Sequence, residues 1–258
     1  MGIVVGLEDV ELKSVLALSS DFVAVTVPRD PIRYFAGTFE RNGRKVDVVV
    51  AAAPKMGMPV AAVVATKLIA AFRPRYLMMT GICAGVRRKV KLGDAIVADP
   101  CWDWGSGKIS DDIKGDETSL LAPYRWRLDT DIRTHIRELS EDDTFLADLH
   151  ERWKKRKPAK APALHIDALA SGAAVVARKK AMDTIRKQHK NLLGVEMEIY
   201  AVLTAAEYAS APRPTCMGIK AVCDFGDAKK NDFAHAYAAY VSAECAKEIA
   251  LRFMAENI

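Results

Sequence analysis

The chain has 258 residues, half of them hydrophobic and 28% charged, which is enough to bury a full core in a single domain spanning 1–258. No apolar run reaches membrane-spanning length, and Met1-Gly-Ile-Val-Val-Gly6 lacks the basic region and cleavage pattern of a secretory signal, so a cytoplasmic protein without membrane attachment is expected. The net charge of +5 is too mild to mark a nucleic-acid binder, and five cysteines without a Cys-x-x-Cys pair predict reduced thiols, with neither a disulfide framework nor a metal site.

In chain order, Ile3 to Gly6 reads as a strand, Val10 to Leu18 as a helix and Phe22 to Val27 as a second strand. Phe35 to Arg41 and Lys45 to Ala52 flank Asn42-Gly43, a hairpin turn signal. Val60 to Phe72 is an alanine-rich helix closed by Arg73-Pro74, and Tyr76 to Thr80 is continuously apolar, as in a strand buried on both faces. Ala95 to Ala98 follows as a strand. Asp103 to Pro123 reads as a loop, and Arg152-Trp-Lys-Lys-Arg-Lys-Pro158 as a solvated basic linker. Leu164 to Ala170, Met182 to His189, Val195 to Ala209 and Cys216 to Cys223 then read as strand, helix, helix and strand, before a long helix from Phe233 to Met254. Such alternation predicts one three-layer α/β/α domain around a mixed sheet.

Four segments carry candidate chemistry. Lys220-Ala-Val-Cys-Asp-Phe-Gly-Asp227 is an apolar run that stops at carboxylates, and a carboxylate at the carboxyl end of a buried strand is costly without a function. Asp224 is therefore the first catalytic candidate, against the plain alternative of a helix cap. Thr80-Gly-Ile-Cys-Ala-Gly85 places a glycine turn after a buried strand, where backbone can approach a ligand. It does not match Gly-x-Gly-x-x-Gly, so no dinucleotide cofactor, and no other cofactor, is expected. Glu196 and Glu198 fall two apart in an otherwise apolar, helical stretch, hence on different faces, and Glu8, Asp9 and Glu11 open the first helix, where dipole compensation alone would explain them.

Taken in order, these segments resemble the nucleoside phosphorylase and nucleosidase superfamily over nearly the whole chain. Met56-Gly-Met-Pro59, Thr80-Gly-Ile-Cys-Ala-Gly85 with Leu92-Gly-Asp94, Ser171-Gly-Ala-Ala-Val-Val176, Val195-Glu-Met-Glu198 and Cys223-Asp-Phe-Gly-Asp227 carry the likeness, which is greatest to the methylthioadenosine/S-adenosylhomocysteine nucleosidases. The resemblance implies a phosphorylase/hydrolase-like fold, a purine nucleoside as the small-molecule partner and a homodimer or larger assembly. It implies that Asp224 assists protonation of the purine N7 and that Glu11 positions or deprotonates the attacking water. It further implies that Glu198 holds the ribose hydroxyls beside Met197, with Ile82, Cys83, Ala84, Val175, Val176 and Cys223 around the substrate.

The chemistry fits these residue types, because a ribosyl C–N bond breaks through an oxocarbenium-like state and the base leaves well only when protonated. Departures from the family pattern matter too. Met79 and Ile82 stand where phosphorylases carry an arginine and a serine, which favours hydrolysis over phosphorolysis. Val175 stands where nucleosidases stack an aromatic ring, so the base contact is expected from Trp102 or Trp104, and Cys223 replaces a serine. A nucleotide nucleosidase, with 5′-phosphates on Arg87, Arg88, Lys89 or the Lys154–Lys157 run, is the second reading. A phosphorylase and a catalytically weak nucleoside sensor are the others.

Overall fold

The structure, a computed structural model, describes residues 1–111, 117–121, 123–226 and 233–255. Asp227, the second carboxylate of the Cys223–Asp227 segment, lies outside the described residues.

β1 (Gly2–Val5) leads into a π-helical turn, Glu8–Leu12, and a single turn of α-helix, α1 (Lys13–Leu16). β2 (Val23–Val25), β3 (Tyr34–Arg41) and β4 (Arg44–Ala52) form a meander, with β3 and β4 joined at Asn42-Gly43 as the turn signal predicts. Both turn residues take positive φ, 54° and 78°, which asparagine and glycine tolerate. α2 (Met58–Phe72) has Pro59 in its first turn and ends at Arg73 in the left-handed conformation, before Pro74. β5 (Tyr76–Gly85) and β6 (Ala95–Asp103) follow.

The Asp103–Pro123 excursion is not simply a loop: β7 (Gly107–Asp111) and β8 (Glu117–Leu121) pair antiparallel within it. Residues 124–151, unassigned from sequence, contain β9 (Arg125–Trp126), α3 (Thr130–Ser140) and α4 (Asp143–Arg152). Both helices are announced by aspartate caps: Asp129 accepts from the N–H groups of Asp131 and Ile132, and Asp142 from that of Phe145. β10 (Leu164–Ser171), α5 (Lys179–Gln188), β11 (Gly194–Glu196), α6 (Ile199–Glu207), β12 (Thr215–Asp224) and α7 (Phe233–Ile249) complete the chain, with a terminal π-helical turn at Ala250–Met254.

Among the described residues, ten strands make one mixed sheet in the order β11-β10-β6-β12-β5-β1-β4-β3-β2, with β9 beside β6. Alternate residues of the central strands feed opposite layers: Ile3, Val5, Val50 and Met78 pack with the α7 residues Tyr237 and Val241, while Val4, Ala51, Leu77 and Met79 pack with α2 and α6. Burial on both faces is why these strands read as unbroken apolar runs. β11 pairs parallel with β10 and also antiparallel with β5, through Gly194 with Gly85 and Val195 with Ala84. Strands β5, β12, β6, β10 and β11 thereby close into a ring. No helix among the described residues is long and apolar enough to cross a membrane.

Candidate active site

A cavity of about 290 Å3 opens where β1, β5, β11 and β12 end at their carboxyl edges. Its wall includes Gly6, Leu7, Glu11, Met56, Ile82, Cys83, Ala84, Val175, Val176, Met197, Glu198, Cys223, Asp224 and His235. Ten of the eleven residues expected at the site thus meet around one space; the eleventh, Trp102, does not.

Glu11 is only 2% exposed, so it is no surface dipole compensator, unlike exposed Asp9, which pairs with Lys13 at 2.9 Å. Its Oε2 accepts the N–H groups of Gly6 (2.6 Å) and Leu7 (2.9 Å), and its Oε1 accepts that of Ile82 (2.8 Å). The carboxylate lies against Gly81, where a Cβ would overlap it and where φ is +152°. The glycine turn thus makes room for an acid as well as for a ligand.

Glu196 and Glu198 are not on two faces of a helix, as the sequence suggests. β11 ends at Glu196, Met197 follows, and Glu198 is the residue that caps α6, so both carboxylates are buried. Glu196 turns inward, accepting the Ser171 hydroxyl and the N–H groups of Glu198 and Ile199, and so ties β10 to the start of α6. Glu198 accepts the Gly57 N–H at 3.0 Å, which fixes the Met56-Gly-Met-Pro59 turn on the cavity.

Lys220 joins these acids. It sits mid-strand in β12 and only 1% of it is exposed, with Nζ 3.1 Å from Glu198, 3.6 Å from Glu196 and 3.7 Å from Glu11. Burial opposes its charge, but Glu11, Glu198 and Glu196 outweigh that and raise its pKa. One ammonium cannot neutralise three carboxylates. Burial, partly offset by Lys220 and reinforced by Glu198, accordingly pushes Glu11 above the usual carboxylate range, and burial does the same to Glu196. Sequence reasoning gave Lys220 no role; its signal is a lone cation inside an otherwise apolar strand buried on both faces.

Asp224 ends β12 just past a register shift between Val222 and Asp224, an irregularity that brings Cys223 and Asp224 together onto the cavity wall. Asp224 Oδ1 accepts the Gly226 N–H at 2.7 Å, and Oδ2 lies 3.5 Å from Cys223 Sγ and 4.0 Å from Nε2 of His235, near the start of α7. His235 was not anticipated, because it follows Asp224 by eleven residues and belongs to another element.

Several expectations need correction. Trp102 is fully buried behind the wall, packed with Val176 and Val195, and its indole N–H donates to Gln188 at 2.9 Å. Trp104 packs its indole on Gly172 and is likewise not a wall residue. β10 ends at Ser171, and Val175, on the stretch that follows it, is 51% exposed at the cavity. Lys89 donates to the carbonyls of Lys190 and Leu192, and Lys157 to that of His150, so both are committed to main-chain contacts. Arg87 and Arg88 line a separate cavity of about 460 Å3 with Lys179 and Arg186, bounded by Phe225, over whose ring Arg87 lies at 4.4 Å.

Comparison with known proteins agrees with this architecture. The family model described as "Phosphorylase superfamily" matches residues 1–255. An uncharacterized protein of Sinorhizobium fredii, y4jS, is 36% identical over 244 residues, covering 94% of this chain and 59% of that protein. The ATP nucleosidase Cap17 of Escherichia coli is 25% identical over 227 residues, covering 82% of this chain and 43% of its own. The chain therefore spans about half the length of these curated relatives. Among solved structures, the 5′-methylthioadenosine/S-adenosylhomocysteine nucleosidase of Neisseria meningitidis, in complex with methylthio-immucillin-A, superposes with a TM-score of 0.69 at 21% identity, covering 96% of this chain and 97% of the other. The S-adenosylhomocysteine nucleosidase of Streptococcus pyogenes gives 0.71 at 21%, covering 98% and 96%. The fold is the one these nucleosidases share, and the match along residues 1–255 shows that the chain belongs to the phosphorylase superfamily.

Proposed function

We propose that the chain is a purine nucleosidase that hydrolyses the N-ribosyl bond of an adenine nucleoside, such as methylthioadenosine or S-adenosylhomocysteine. The observation that carries this reading is the division of acids around one cavity: Asp224 on one strand end, Glu198 beside Met197, and Glu11 held by three backbone N–H groups. Asp224 protonates the departing base at N7. Glu198 accepts from the ribose hydroxyls, its geometry fixed by Gly57 and Lys220. Glu11, held above the usual carboxylate range, is a stronger base toward a water on the other face of the sugar. Val175 and Val176 give the base an apolar slot.

Hydrolysis is favoured over phosphorolysis by the wall itself. Among its described residues the side chains are apolar or acidic apart from Cys83, Cys223 and His235, and a phosphate dianion would approach Glu11, Glu196, Glu198 and Asp224. Ile82 offers it only its main chain, and Met79 is buried in the core.

A second reading, a 5′-phosphorylated adenine nucleotide as substrate, is supported by the similarity to the ATP nucleosidase Cap17. Such phosphates would leave the acidic wall through the mouth, toward solvent. Both readings are tested by incubating the protein with adenosine, methylthioadenosine, S-adenosylhomocysteine, AMP and ATP, with and without phosphate, and measuring free base. Base release from a nucleoside in phosphate-free buffer supports the first, and release from AMP or ATP but from none of the nucleosides supports the second. No release from any of them would sink both.

A further inference from the structure

We infer that Cys223, Asp224 and His235 form a binding site for a zinc-class divalent cation, and that its occupation silences Asp224. The regulatory half of this inference rests on the nucleosidase reading of Asp224; the binding half rests on geometry alone. One donor atom from each residue, a sulfur, a carboxylate oxygen and an imidazole nitrogen, lies within 4.8 Å of the other two. Sγ of Cys223 is 3.5 Å from Oδ2 of Asp224, and Oδ2 is 4.0 Å from Nε2 of His235. Tetrahedral zinc, with bonds of about 2.3 Å to sulfur and about 2.0–2.2 Å to nitrogen and oxygen, requires donor separations of roughly 3.4–3.6 Å. The cysteine and aspartate therefore already stand at the required spacing, while His235 has to close on Oδ2, now 4.0 Å away, by about half an ångström and on the sulfur, within 4.8 Å, by up to about 1.3 Å.

A second observation points the same way. Nε2 of His235 is buried and has no hydrogen-bond partner among the described residues, although it is aimed at Asp224 on the cavity wall. A buried polar atom without a partner is costly, and a cation supplies what the neighbouring carboxylate, at 4.0 Å, does not. The donor set also suits the metal: thiolate and imidazole select zinc and its chemical relatives over magnesium or calcium. A serine at 223, which the family pattern carries, would lack the soft donor. Three protein ligands leave a fourth position for water.

On binding, the Cys223 S–H bond breaks, its proton goes to solvent and a sulfur–metal bond forms, while neutral His235 gives its Nε2 lone pair. Oδ2 of Asp224 then holds the cation and carries no proton, so it cannot protonate the base. The cation acts as an inhibitor that competes with the acid's proton rather than as a cofactor.

The test is a cobalt(II) titration of the purified, chelator-treated full chain, followed by absorbance, with zinc inhibition of base release measured in parallel. The expected result is one cobalt per chain, with a thiolate-to-cobalt band in the near ultraviolet and the visible bands of tetrahedral cobalt. Zinc should bleach both. C223S should abolish the near-ultraviolet band, and H235N should weaken binding by about tenfold to a hundredfold or more. Zinc should lower the parent's rate of base release at the stoichiometry of cobalt displacement, and chelator should restore it. A parent without the band, a band unchanged in C223S, or zinc bound at the site with base release intact would overturn the inference. A band present in a protein that releases no base would sink the nucleosidase reading and leave the metal site standing.

Discussion

Nζ of Lys220 lies 3.1 Å from Oε2 of Glu198, a buried ion pair in which the lysine also faces Glu11 and Glu196. Removing one partner of such an assembly leaves uncompensated buried charge, which costs about 3–5 kcal/mol. Lys220→Met should lose roughly that much stability at neutral pH. The loss should shrink toward acid pH, because Glu11 and Glu196 are already raised and protonate more readily once the ammonium is gone. Denaturant midpoints of both proteins at mildly acid and mildly alkaline pH decide this, and an equal loss at both would mean that packing, not charge, is what Lys220 supplies.

Glu11→Gln should keep the fold and ligand affinity while losing turnover, since a neutral isostere replaces the base. A carboxyl raised in the folded state contributes stability that is complete below its unfolded value, 4.5, and is lost as pH rises through the raised value. The parent should therefore lose stability as pH climbs through that window, and the variant should show a shallower slope. Thermal melts across pH, paired with base-release assays, check both halves. A variant that turned over like the parent would reduce Glu11 to a structural acid.

Asp224→Asn should lower kcat by about a hundredfold to ten-thousandfold, the usual contribution of general acid assistance, with binding nearly intact. Asparagine still accepts the Gly226 N–H but transfers no proton. The deficit should narrow for a ribosyl nitrophenyl ether, whose leaving group needs no proton. Equal deficits on both substrates would remove Asp224 from the acid role.

Base release should proceed without phosphate and yield free sugar. Ribose 1-phosphate among the products, with a rate rising as phosphate is added, would place a phosphate site in this acidic cavity after all.

Gly81→Ala should abolish turnover more completely than its modest size suggests, because its Cβ would displace the Glu11 carboxylate from Ile82. Comparing its affinity for a non-reactive nucleoside analogue with its turnover separates a moved base from a blocked pocket.

Much of this arrangement was legible in sequence because it depends on local pattern. The Asn42-Gly43 turn, the apolar runs of β1, β5 and β12, and the acid at the end of β12 are statements about neighbouring residues. What failed depends on distant partners. Glu196 and Glu198 look helical by apolar spacing, yet pairing with β10 and β5 holds residues 194–196 extended. Lys220 becomes meaningful only when β12 is placed between acids from β11, the start of α6 and the turn after β1. Trp102 has the chemistry to stack on a base, but its position in β6 places it behind Val176 and Val195. The caps Asp129 and Asp142, and the helical spacing of Ile132, Ile136 and Leu139 behind the first of them, were available local signals.

The ring closed by β11 has a consequence for how this site can change. A strand hydrogen-bonded on both edges cannot slip by one residue without breaking two ladders and exchanging Glu196 for Val195 on the inner face. Glu196 and Asp224, at the ends of β11 and β12, are therefore clamped by the ring, whereas Val175 on the loop after β10, Met56 before α2 and His235 on α7 lie off it. Substitutions at those three rims would therefore reshape the cavity while leaving the ends of β11 and β12 where they are.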